Sequence, residues 1–359
     1  MDLAHISQLT TLALALSLLI GLILGALMQR THFCTMGAVA DIANFGSWAR
    51  ARMFGLALGV AIVGTQGMAN AGLIDLSKSI YLSGRVAWLA YALGGAFFGF
   101  GMVLAGGCGS KTLLRMGGGS LKALVVFIVM GLTAYMTLRG VLGVLRVSVI
   151  EPLSFTLSTQ SLPVLLGLGA IGGGVAGVAL IAWALRSPEG RAVENVVAGA
   201  GIGLLVCAAW YVSGVVGYVP DHPETLQAAF LATNSGRMEG LSFVAPSAYW
   251  LDYGVLFSDK SKTVSIGMMG ALGVVLGALG VSLASKTFRW EGFSSTRDLA
   301  WHLVGAAMMG FGGVLALGCT VGQGLTGMST LALGSLITFI FIILGAVWAL
   351  KYQTRVLEL

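Results

Sequence analysis

Long apolar stretches alternate with short polar connections along almost the whole chain. An α-helix needs about 20 predominantly apolar residues to cross a bilayer, and counting stretches of that length predicts nine transmembrane spans. The predicted spans are 9–28, 53–72, 86–107, 120–138, 162–185, 193–215, 263–285, 299–318 and 328–350. The pattern therefore predicts an all-α integral membrane protein with about nine transmembrane helices.

The connection between the last two predicted spans is unusual. From Leu299 to Leu350 the chain has no Asp, Glu, Lys or Arg. The segment GCTVGQGLTG (318–327) that joins the spans is uncharged and rich in glycine. Irregular backbone survives at membrane depth only where it is buried in protein or lines a cavity. We therefore expect a re-entrant turn here, and short re-entrant half-helices as part of the fold.

Composition agrees with this class of protein. Of the 359 residues, 57% are hydrophobic and 9% are charged, and the mean hydropathy is +0.92, whereas a soluble domain carries roughly 25% charged residues. The 54 glycines suit helices that approach one another closely in a membrane. The first apolar stretch, Leu9–Met28, is predicted to be a span and not a cleavable signal, because no basic segment precedes it.

The distribution of basic residues predicts the orientation. Thirteen of the 20 Lys and Arg residues lie in the loops after the first, third, fifth and seventh predicted spans or in the C-terminal tail. Cytoplasmic loops carry the excess of Lys and Arg. We expect a multi-pass protein of the bacterial inner membrane, with the N-terminus periplasmic and the C-terminus cytoplasmic. The net charge of +6 follows from this bias and does not indicate nucleic acid as a partner.

One motif occurs twice. GFGMVLAGGC (99–108) and GFGGVLALGC (310–319) are identical at eight of ten positions and lie 211 residues apart. They end the third and eighth predicted spans, which are five spans apart and so cross the membrane in opposite directions. Many transporters build a site near the middle of the bilayer from such an inverted repeat.

A weaker similarity with nearly the same offset joins RTHFCTMGAVAD (30–41) to GLSFVAPSAYWLD (240–252). We predict a single membrane domain made of two inverted halves, 1–142 and 191–359, with an extra helix in the linking segment 143–190.

Three of the four cysteines stand directly before segments that can start a new helix. Cys34 precedes TMGAVADIANF, Cys108 precedes the segment with SKTLLRM, and Cys319 precedes TVGQGLT. The fourth equivalent place is SFVAPSAYWL, with Ser242 as a candidate N-cap. Helix N-termini expose unpaired N–H groups and a partial positive charge, which makes them anion sites. Four of them converging from the two faces would form an hourglass-like constriction lined by donors.

Polar residues near the three cysteines extend this predicted anion pathway. The secondary candidates are Gln29, Arg30, His32, Gly107, Ser110, Lys111, Thr112, Thr320, Gln323 and Thr326. His32 is expected at the membrane interface and not as a catalyst. Lys111 can serve either the solute or the positive-inside bias.

The chain offers little for other kinds of site. No buried carboxylate is expected in the spans, which argues against a cation pathway or a carboxylate proton relay. Asp41 is expected to cap a helix or to pair with Arg30 or Arg50. The cysteines form no CxxC pair, so neither a disulfide framework nor a zinc site is predicted, and we expect no metal, no cofactor and no catalytic residue.

The chemistry of the cysteines leaves several functions open. A thiol is a weak donor and a soft acceptor, which suits a sulfur atom, whereas an oxyanion requires N–H and hydroxyl donors. The residues therefore indicate an anion that carries sulfur. A membrane thiol oxidoreductase and a soft-metal transporter for Cu(I) are the alternatives, although the 15 methionines show no MxxM or MxxxM spacing of the kind expected for a copper pathway.

The motifs MQRTHFCTMGAVADI, AGGCGSKTL and LGCTVGQGLTG resemble those of the YeeE/YedE family of sulfur-compound transporters. The resemblance extends over nearly the whole chain. It implies an hourglass-shaped protein with re-entrant half-helices, and thiosulfate as the solute taken up. It also implies that thiosulfate passes between Cys34, Cys108 and Cys319 by S–H···S hydrogen bonds, while Cys207 matches no motif. Some family members carry other sulfur or selenium species, and a small cytoplasmic sulfurtransferase is the partner that the family suggests.

Overall fold

All nine predicted spans contain a helix in the computed structural model, which describes residues 3–223 and 226–357. The α-helices in chain order are α1 (Leu3–Thr31), α2 (Thr35–Phe45), α3 (Ala49–Asn70), α4 (Trp88–Leu104), α5 (Gly109–Gly117), α6 (Leu121–Arg139), α7 (Val141–Leu145), α8 (Leu162–Leu165), α9 (Gly169–Leu185), α10 (Val193–Tyr211), α11 (Val244–Val255), α12 (Ile266–Ala284), α13 (Thr296–Leu315) and α14 (Leu333–Leu357). In the described part of the chain, eight helical segments are long and apolar enough to cross a membrane. The fifth predicted span contains the shorter helix α9, which has 17 residues.

Short elements complete the chain. Three π-helical segments cover Arg146–Ile150, Val212–Val216 and Gly322–Gly327, and a 3₁₀ turn covers Leu76–Lys78. The strands are β1 (Arg85–Val86), β2 (Phe155–Thr156), β3 (Tyr218–Val219) and β4 (Ala229–Phe230). They form two antiparallel two-stranded pairs, β1 with β2 and β3 with β4. The protein is thus an all-α multi-pass membrane protein.

The two helices that carry the repeated motif, α4 and α13, cross antiparallel through glycine. A Cβ added to Gly101 would lie 2.6 Å from the carbonyl oxygen of Gly305, and one added to Gly312 would lie 2.6 Å from that of Gly94. At the 211-residue offset Gly94 corresponds to Gly305 and Gly101 to Gly312, so the two close contacts are equivalents of each other. Small residues at such crossings let membrane helices pack backbone to backbone.

Two further helix pairs run parallel. Gly21 and Gly25 of α1 contact Gly270 and Val274 of α12, and the contacts advance together along both chains. Helix α10 packs in the same way on α3. Each of these pairs joins a helix from 1–142 to a helix from 191–359, so the two segments interlock. Two related halves are expected to pack their helices on each other in this way. The division of the chain at 142 and 191 stays a prediction.

The linking segment supplies α9, which packs antiparallel on α3. Gly59 and Gly177 face each other at this contact, and a Cβ added to Gly59 would lie 2.8 Å from the Gly177 carbonyl oxygen. Further along, Trp183 covers Gly55. The short α9 therefore lies against one long helix of the segment 1–142.

The charge-free segment 318–327 is buried throughout. It turns back into the π-helix Gly322–Gly327, which contacts α14, α3 and α10. This confirms that the uncharged connection between the last two spans is buried in protein.

The short helices α2 and α11 are each held by an ion pair. Arg50 lies 3.3 Å from Asp41 of α2, which confirms the pairing expected for Asp41. Lys262 lies 2.7 Å from Asp252 of α11. Asp41 and Asp252 are 211 residues apart, so the two pairs occupy equivalent places.

Candidate transport site

Cys34 and Cys319 have the same local geometry. The Gly37 N–H donates to Cys34 Sγ at 3.3 Å, and the Gly322 N–H donates to Cys319 Sγ at 3.4 Å. Each sulfur thus accepts from the residue three positions later, as an N-cap side chain does. Because the sulfur accepts this bond, its own S–H remains available to donate to another atom.

Cys108 lies next to both. It is the N-cap residue of α5, and its Sγ is 3.3 Å from Ser110 Oγ. Its thiol also lies near the thiol of Cys34 and the hydroxyl of Thr320. Cys108 and Cys319 are buried, and Cys34 is half-buried. The three motif cysteines therefore meet inside the protein.

Gly109 marks the point where the helix starts converge. A Cβ added there would lie 3.7 Å from Phe243 Cβ, 3.8 Å from Val244 Cγ2 and 3.9 Å from Cys319 Cβ. The start of α5 thus faces both the start of α11 and Cys319. Neither α5 nor α11 has a side-chain cap, so part of the first-turn N–H groups remain free to bind an anion.

The prediction that Ser242 is a helix N-cap is wrong. Helix α11 begins at Val244, its N-cap is Phe243, and no side chain caps it. The Ser242 hydroxyl instead lies against Gly322, where an added Cβ would be 2.8 Å from Ser242 Oγ. It packs on the segment that follows Cys319, because the chain turns one residue later than the capping preference suggests.

A wide basic vestibule lies beside α5. This cavity of about 740 Å³ contains four of the secondary candidates, and its lining residues are Gln29, Arg30, His32, Lys111, Arg115, Gly118, Ser120, Val281, Ser285, Thr287, Arg289, Trp290 and Glu291. Gly107, which is buried, leaves room for the stem of Lys111. Gln29 Nε2 donates to Ser282 Oγ at 3.2 Å. The vestibule places Lys111 within electrostatic range of Cys34.

One acidic residue lies in this vestibule. Glu291 is 3.4 Å from Arg115 and 3.9 Å from Lys122. Burial alone would raise the pKa of Glu291, but the positive charges of Arg115 and Lys122, together with a hydrogen bond from Ser120, hold that pKa below its usual value. The carboxylate stays ionised at neutral pH and offsets part of the positive charge of the vestibule.

Two of the predicted pathway hydroxyls are engaged with the backbone. Thr112 donates to the Cys108 carbonyl at 3.1 Å, and Thr326 donates to the Leu241 carbonyl at 2.9 Å. Both are buried. They hold the helix start after Cys108 and the π-helix after Cys319 in place.

The remaining candidates on the Cys319 side have unpartnered oxygens. Thr320 Oγ1 and Gln323 Oε1 are buried without a hydrogen-bond partner, while Gln323 Nε2 donates to the Ala316 carbonyl. A buried polar atom without a partner costs free energy comparable to a lost hydrogen bond. A solute or a water molecule at these oxygens would supply the missing partner.

Tyr81 belongs to this side of the site and was not predicted. Its phenol is buried, has no hydrogen-bond partner and lies within electrostatic range of Cys319. Burial raises the pKa of Tyr81, so the group stays protonated and can donate to an anion. Trp210 packs edge-on against its ring at 6.1 Å. Nothing in the local sequence around Tyr81 distinguishes it from other loop tyrosines.

Cys207 lies apart from these groups. Its thiol is directed at the backbone of α3, 3.7 Å from the Ala61 carbonyl oxygen. No described group of three or more His, Cys, Asp or Glu side chains is arranged to hold a metal ion. The site is therefore three thiols, free helix N-termini and orphaned hydroxyls beside a basic vestibule, which together provide donors for an anion.

Comparison with known proteins agrees with this chemistry. The family model described as "Sulphur transport" matches residues 30–348. The thiosulfate transporter TsuA of Escherichia coli (strain K12) is 28% identical over 357 residues, with 94% of each chain covered. The thiosulfate transporter TsuA of Spirochaeta thermophila is 27% identical over 341 residues, which cover 91% of this chain and 95% of that protein.

Proposed function

This chain belongs to the sulphur transport (YeeE/YedE) family, and from that premise we propose that it carries thiosulfate across the bacterial inner membrane into the cytoplasm. The relatives named as thiosulfate transporters align over more than nine-tenths of the chain, which supports thiosulfate as the substrate. Both relatives are named as transporters.

The observation that carries the proposal is the meeting of three thiols at helix starts. Thiosulfate has a terminal sulfur and three oxygens, and the site offers two kinds of donor to match them. The S–H groups of Cys34 and Cys319 are free to donate because each sulfur already accepts a backbone N–H. Free N–H groups at the starts of α5 and α11 and the Tyr81 phenol suit the oxygens.

The relay needs no covalent step. The thiosulfate sulfur would accept an S–H···S hydrogen bond from each of the thiols of Cys34, Cys108 and Cys319 as it passes. Several weak sites in a row let a solute leave as well as enter. The two halves 1–142 and 191–359 would supply one motif cysteine each to the centre of the relay, Cys108 and Cys319.

The proposed direction follows from the charges. The basic vestibule would lie on the cytoplasmic side, with the N-terminus periplasmic and the C-terminus cytoplasmic, as the positive-inside rule predicts. Moving a dianion inward against an inside-negative potential costs about 4.6 kcal/mol per 100 mV, at about 2.3 kcal/mol per charge. Uptake therefore needs rapid consumption of thiosulfate, for which a small cytoplasmic sulfurtransferase is the proposed partner, or a co-transported cation.

Cysteine variants test the relay. Cys108→Ala and Cys319→Ala should each lower the initial rate of thiosulfate uptake into proteoliposomes by at least tenfold, and Cys34→Ala by a smaller factor because Cys34 is only half-buried. Cys207→Ala is the matched control, since its thiol faces α3, and should transport normally. Normal uptake by Cys108→Ala and Cys319→Ala at wild-type expression would reject the relay.

Competition tests the substrate. Labelled thiosulfate uptake by the wild-type protein should be suppressed by unlabelled thiosulfate and much less by sulfate, which has no terminal sulfur for the thiols. Sulfite and selenite complete the series. Equal suppression by sulfate would contradict recognition through the thiols and leave an oxyanion transporter.

A variant at Gly109 distinguishes an effect on transport from an effect on folding. A methyl group on Gly109 would make ordinary contacts of 3.7–3.9 Å, so Gly109→Ala should fold with an unchanged melting temperature. The same methyl group would narrow the space between α5, α11 and Cys319, and uptake should fall several-fold. An unchanged rate would place the passage elsewhere.

A further inference from the structure

We infer that Glu239 lies on the path of thiosulfate to Cys319 and that its carboxyl group must be protonated for the dianion to pass; this inference rests on the proposed function. Glu239 begins the segment 239–243, which leads into α11. It belongs neither to the three thiols nor to the basic vestibule.

The segment 239–243 reaches the thiol site directly. Its last residue, Phe243, is the N-cap of α11, and the Phe243 Cβ lies 3.7 Å from the place that a Cβ on Gly109 would occupy. The Phe243 N–H also lies near the thiol of Cys319. Glu239 is therefore joined by a few residues of backbone to the point where the helix starts converge.

A small cavity follows this segment. All of 239–243 lines it, together with parts of α1, α10 and α12, and its volume of about 20 Å³ leaves room for about one water molecule. Glu239 alone among the lining residues has an ionisable side chain. The cavity is smaller than a thiosulfate ion, so this side has to widen when the solute passes, and little water is present to screen the carboxylate from it.

Glu239 is a half-buried acid without a cation to balance it. The Ser235 N–H donates to Glu239 Oε1 at 2.8 Å, and within the described residues no Lys, Arg or His side chain pairs with the carboxyl group. Burial raises the pKa of Glu239, and the hydrogen bonds from Ser235 offset only part of this effect. The neutral form therefore persists to a higher pH than in an exposed glutamate, whose pKa is about 4.3.

The helices around the cavity bring no charge to Glu239. The lining residues from α1, α10 and α12 are uncharged, and Ser17 of α1 is the one polar side chain among them. The π-helix Val212–Val216 contributes the Ser213 hydroxyl, which accepts from the Glu239 N–H at 3.0 Å.

Two tyrosines are the titratable groups that face Glu239. Tyr81 and Tyr249 of α11 both lie within electrostatic range of its carboxyl group, and phenols are protonated at neutral pH. The cations that adjoin the segment are directed elsewhere. Arg237 is exposed, and Lys78 Nζ donates to the Tyr218 hydroxyl at 2.9 Å. The carboxyl group of Glu239 is thus the group whose charge changes here between acidic and neutral pH.

The equivalent place in the first half has no acid. At the 211-residue offset Glu239 and Leu241 correspond to Met28 and Arg30. Met28 is buried, and Arg30 lines the basic vestibule, so the repeated packing does not require a carboxyl group at this place. An ionised Glu239 would repel a dianion, whereas the neutral carboxyl group has an O–H that can donate to a thiosulfate oxygen.

The pH dependence of uptake tests the inference. Proteoliposomes with the same pH on both sides have no proton gradient, so the initial rate of labelled thiosulfate uptake responds to protonation of the protein. The wild-type rate should be at least fivefold higher at pH 5 than at pH 8. Thiosulfate is a dianion across this range, so titration of the solute does not contribute.

Variants assign the effect to Glu239. Glu239→Gln keeps the size of the side chain and an oxygen that can accept from Ser235, but it cannot ionise. Its uptake rate should be equal at pH 5 and pH 8 and close to the wild-type rate at pH 5. Glu239→Met, which introduces the residue of the first half, is a second neutral variant and should also give a flat pH profile. The control Glu194→Gln changes an exposed residue in the first turn of α10 and should keep the wild-type profile.

The outcomes separate the two proposals. If the wild-type protein takes up thiosulfate equally fast at pH 5 and pH 8, or faster at pH 8, the role of Glu239 is wrong and the transport proposal stands. A wild-type pH profile in Glu239→Gln or Glu239→Met, with an unchanged melting temperature, would also overturn it. If the wild-type protein takes up no thiosulfate at any pH, the transport proposal fails and the role of Glu239 fails with it.

Discussion

The two copies of the repeated motif share a helix crossing and then diverge after the cysteine. Up to Cys108 and Cys319 they match in sequence, in the glycine contacts of α4 with α13 and in the turn that ends each helix. Beyond Cys108 follows the regular helix α5, with Lys111 and Arg115 in the basic vestibule. Beyond Cys319 follows a buried π-helix without a charge.

This contrast separates two tasks. The shared residues let α4 and α13 cross closely and bring the thiols of Cys108 and Cys319 near each other. This requires equivalent geometry in the two copies of the motif. The divergent residues make the two sides of the site different, with positive charge on one side and neutral, unpartnered oxygens on the other.

The strongest test of the shared part is to add a methyl group at the crossing. Gly101→Ala and Gly312→Ala each push a Cβ to 2.6 Å from an opposing backbone carbonyl, which a side-chain rotation cannot relieve. Overpacking of this kind costs about 3 kcal/mol. The two variants should lose similar amounts of thermal stability in detergent, because their contacts are equivalents.

Gly280→Ala is the control for the crossing. Nothing lies within 4 Å of a Cβ added to Gly280 in α12, and alanine gains up to about 1 kcal/mol over glycine inside a helix. Its melting temperature should therefore be unchanged or higher. Similar losses in all three variants would show that glycine content, and not the crossing, determines stability.

The ion pairs of α2 and α11 should differ in strength despite their equivalent positions. The side chains of Asp252 and Lys262 are 6% and 17% exposed, whereas those of Asp41 and Arg50 are 24% and 41% exposed. Removing one partner of a fully buried pair costs about 3–5 kcal/mol, and we expect about 2 kcal/mol for Asp252→Asn because Lys262 keeps some contact with solvent. Asp41→Asn should cost below about 1 kcal/mol. Denaturation of both variants measures the difference, and an equal cost would contradict it.

The vestibule charge should affect rate and not stability. Lys111→Gln removes a positive charge near Cys34, and thiosulfate uptake at low salt should fall about fivefold, a change of about 1 kcal/mol. At 1 M salt, where the screening length is about 3 Å, the difference from the wild-type protein should nearly disappear. Lys351→Gln, an exposed residue at the end of α14, is the control and should transport normally at both salt concentrations. A defect in Lys111→Gln that persists at 1 M salt would indicate a direct contact instead of a long-range field.

Much of this arrangement could be predicted from the sequence, because it follows from local patterns. Apolar length predicts the nine helical positions, and the uncharged segment 318–327 predicts a buried connection. The start of a half-helix after Cys34 and after Cys108 is also correct. These properties depend on composition within a few turns of chain, and a bilayer leaves few other options.

The parts that could not be predicted depend on distant contacts. Serine is a preferred N-cap residue, yet the Ser242 hydroxyl packs against Gly322 and caps no helix. The partnerless oxygens of Tyr81 and Ser335 arise only when loops and helices far apart in sequence meet. No local sequence pattern predicts that a hydroxyl will lack a hydrogen-bond partner, because the partner could come from anywhere in the fold.

The smallest effect concerns the turns that end α4 and α13. Gly106 and Leu317 are equivalent and both adopt left-handed backbone, with φ of 69° and 57°. The next residue closes each turn, with Gly107 N–H donating to Met102 and Gly318 N–H to Gly313, both at 2.8 Å. Leucine pays a steric cost in this region that glycine avoids, but glycine loses more conformational freedom on folding. We therefore expect Leu317→Gly to raise stability by only about 0.5 kcal/mol and Gly106→Ala to lower it by about 1 kcal/mol. If denaturation showed Leu317→Gly to be less stable, the leucine side chain, 40% exposed at this turn, would have a packing role that outweighs its backbone strain, and the two turns would be equivalent in geometry but not in energy.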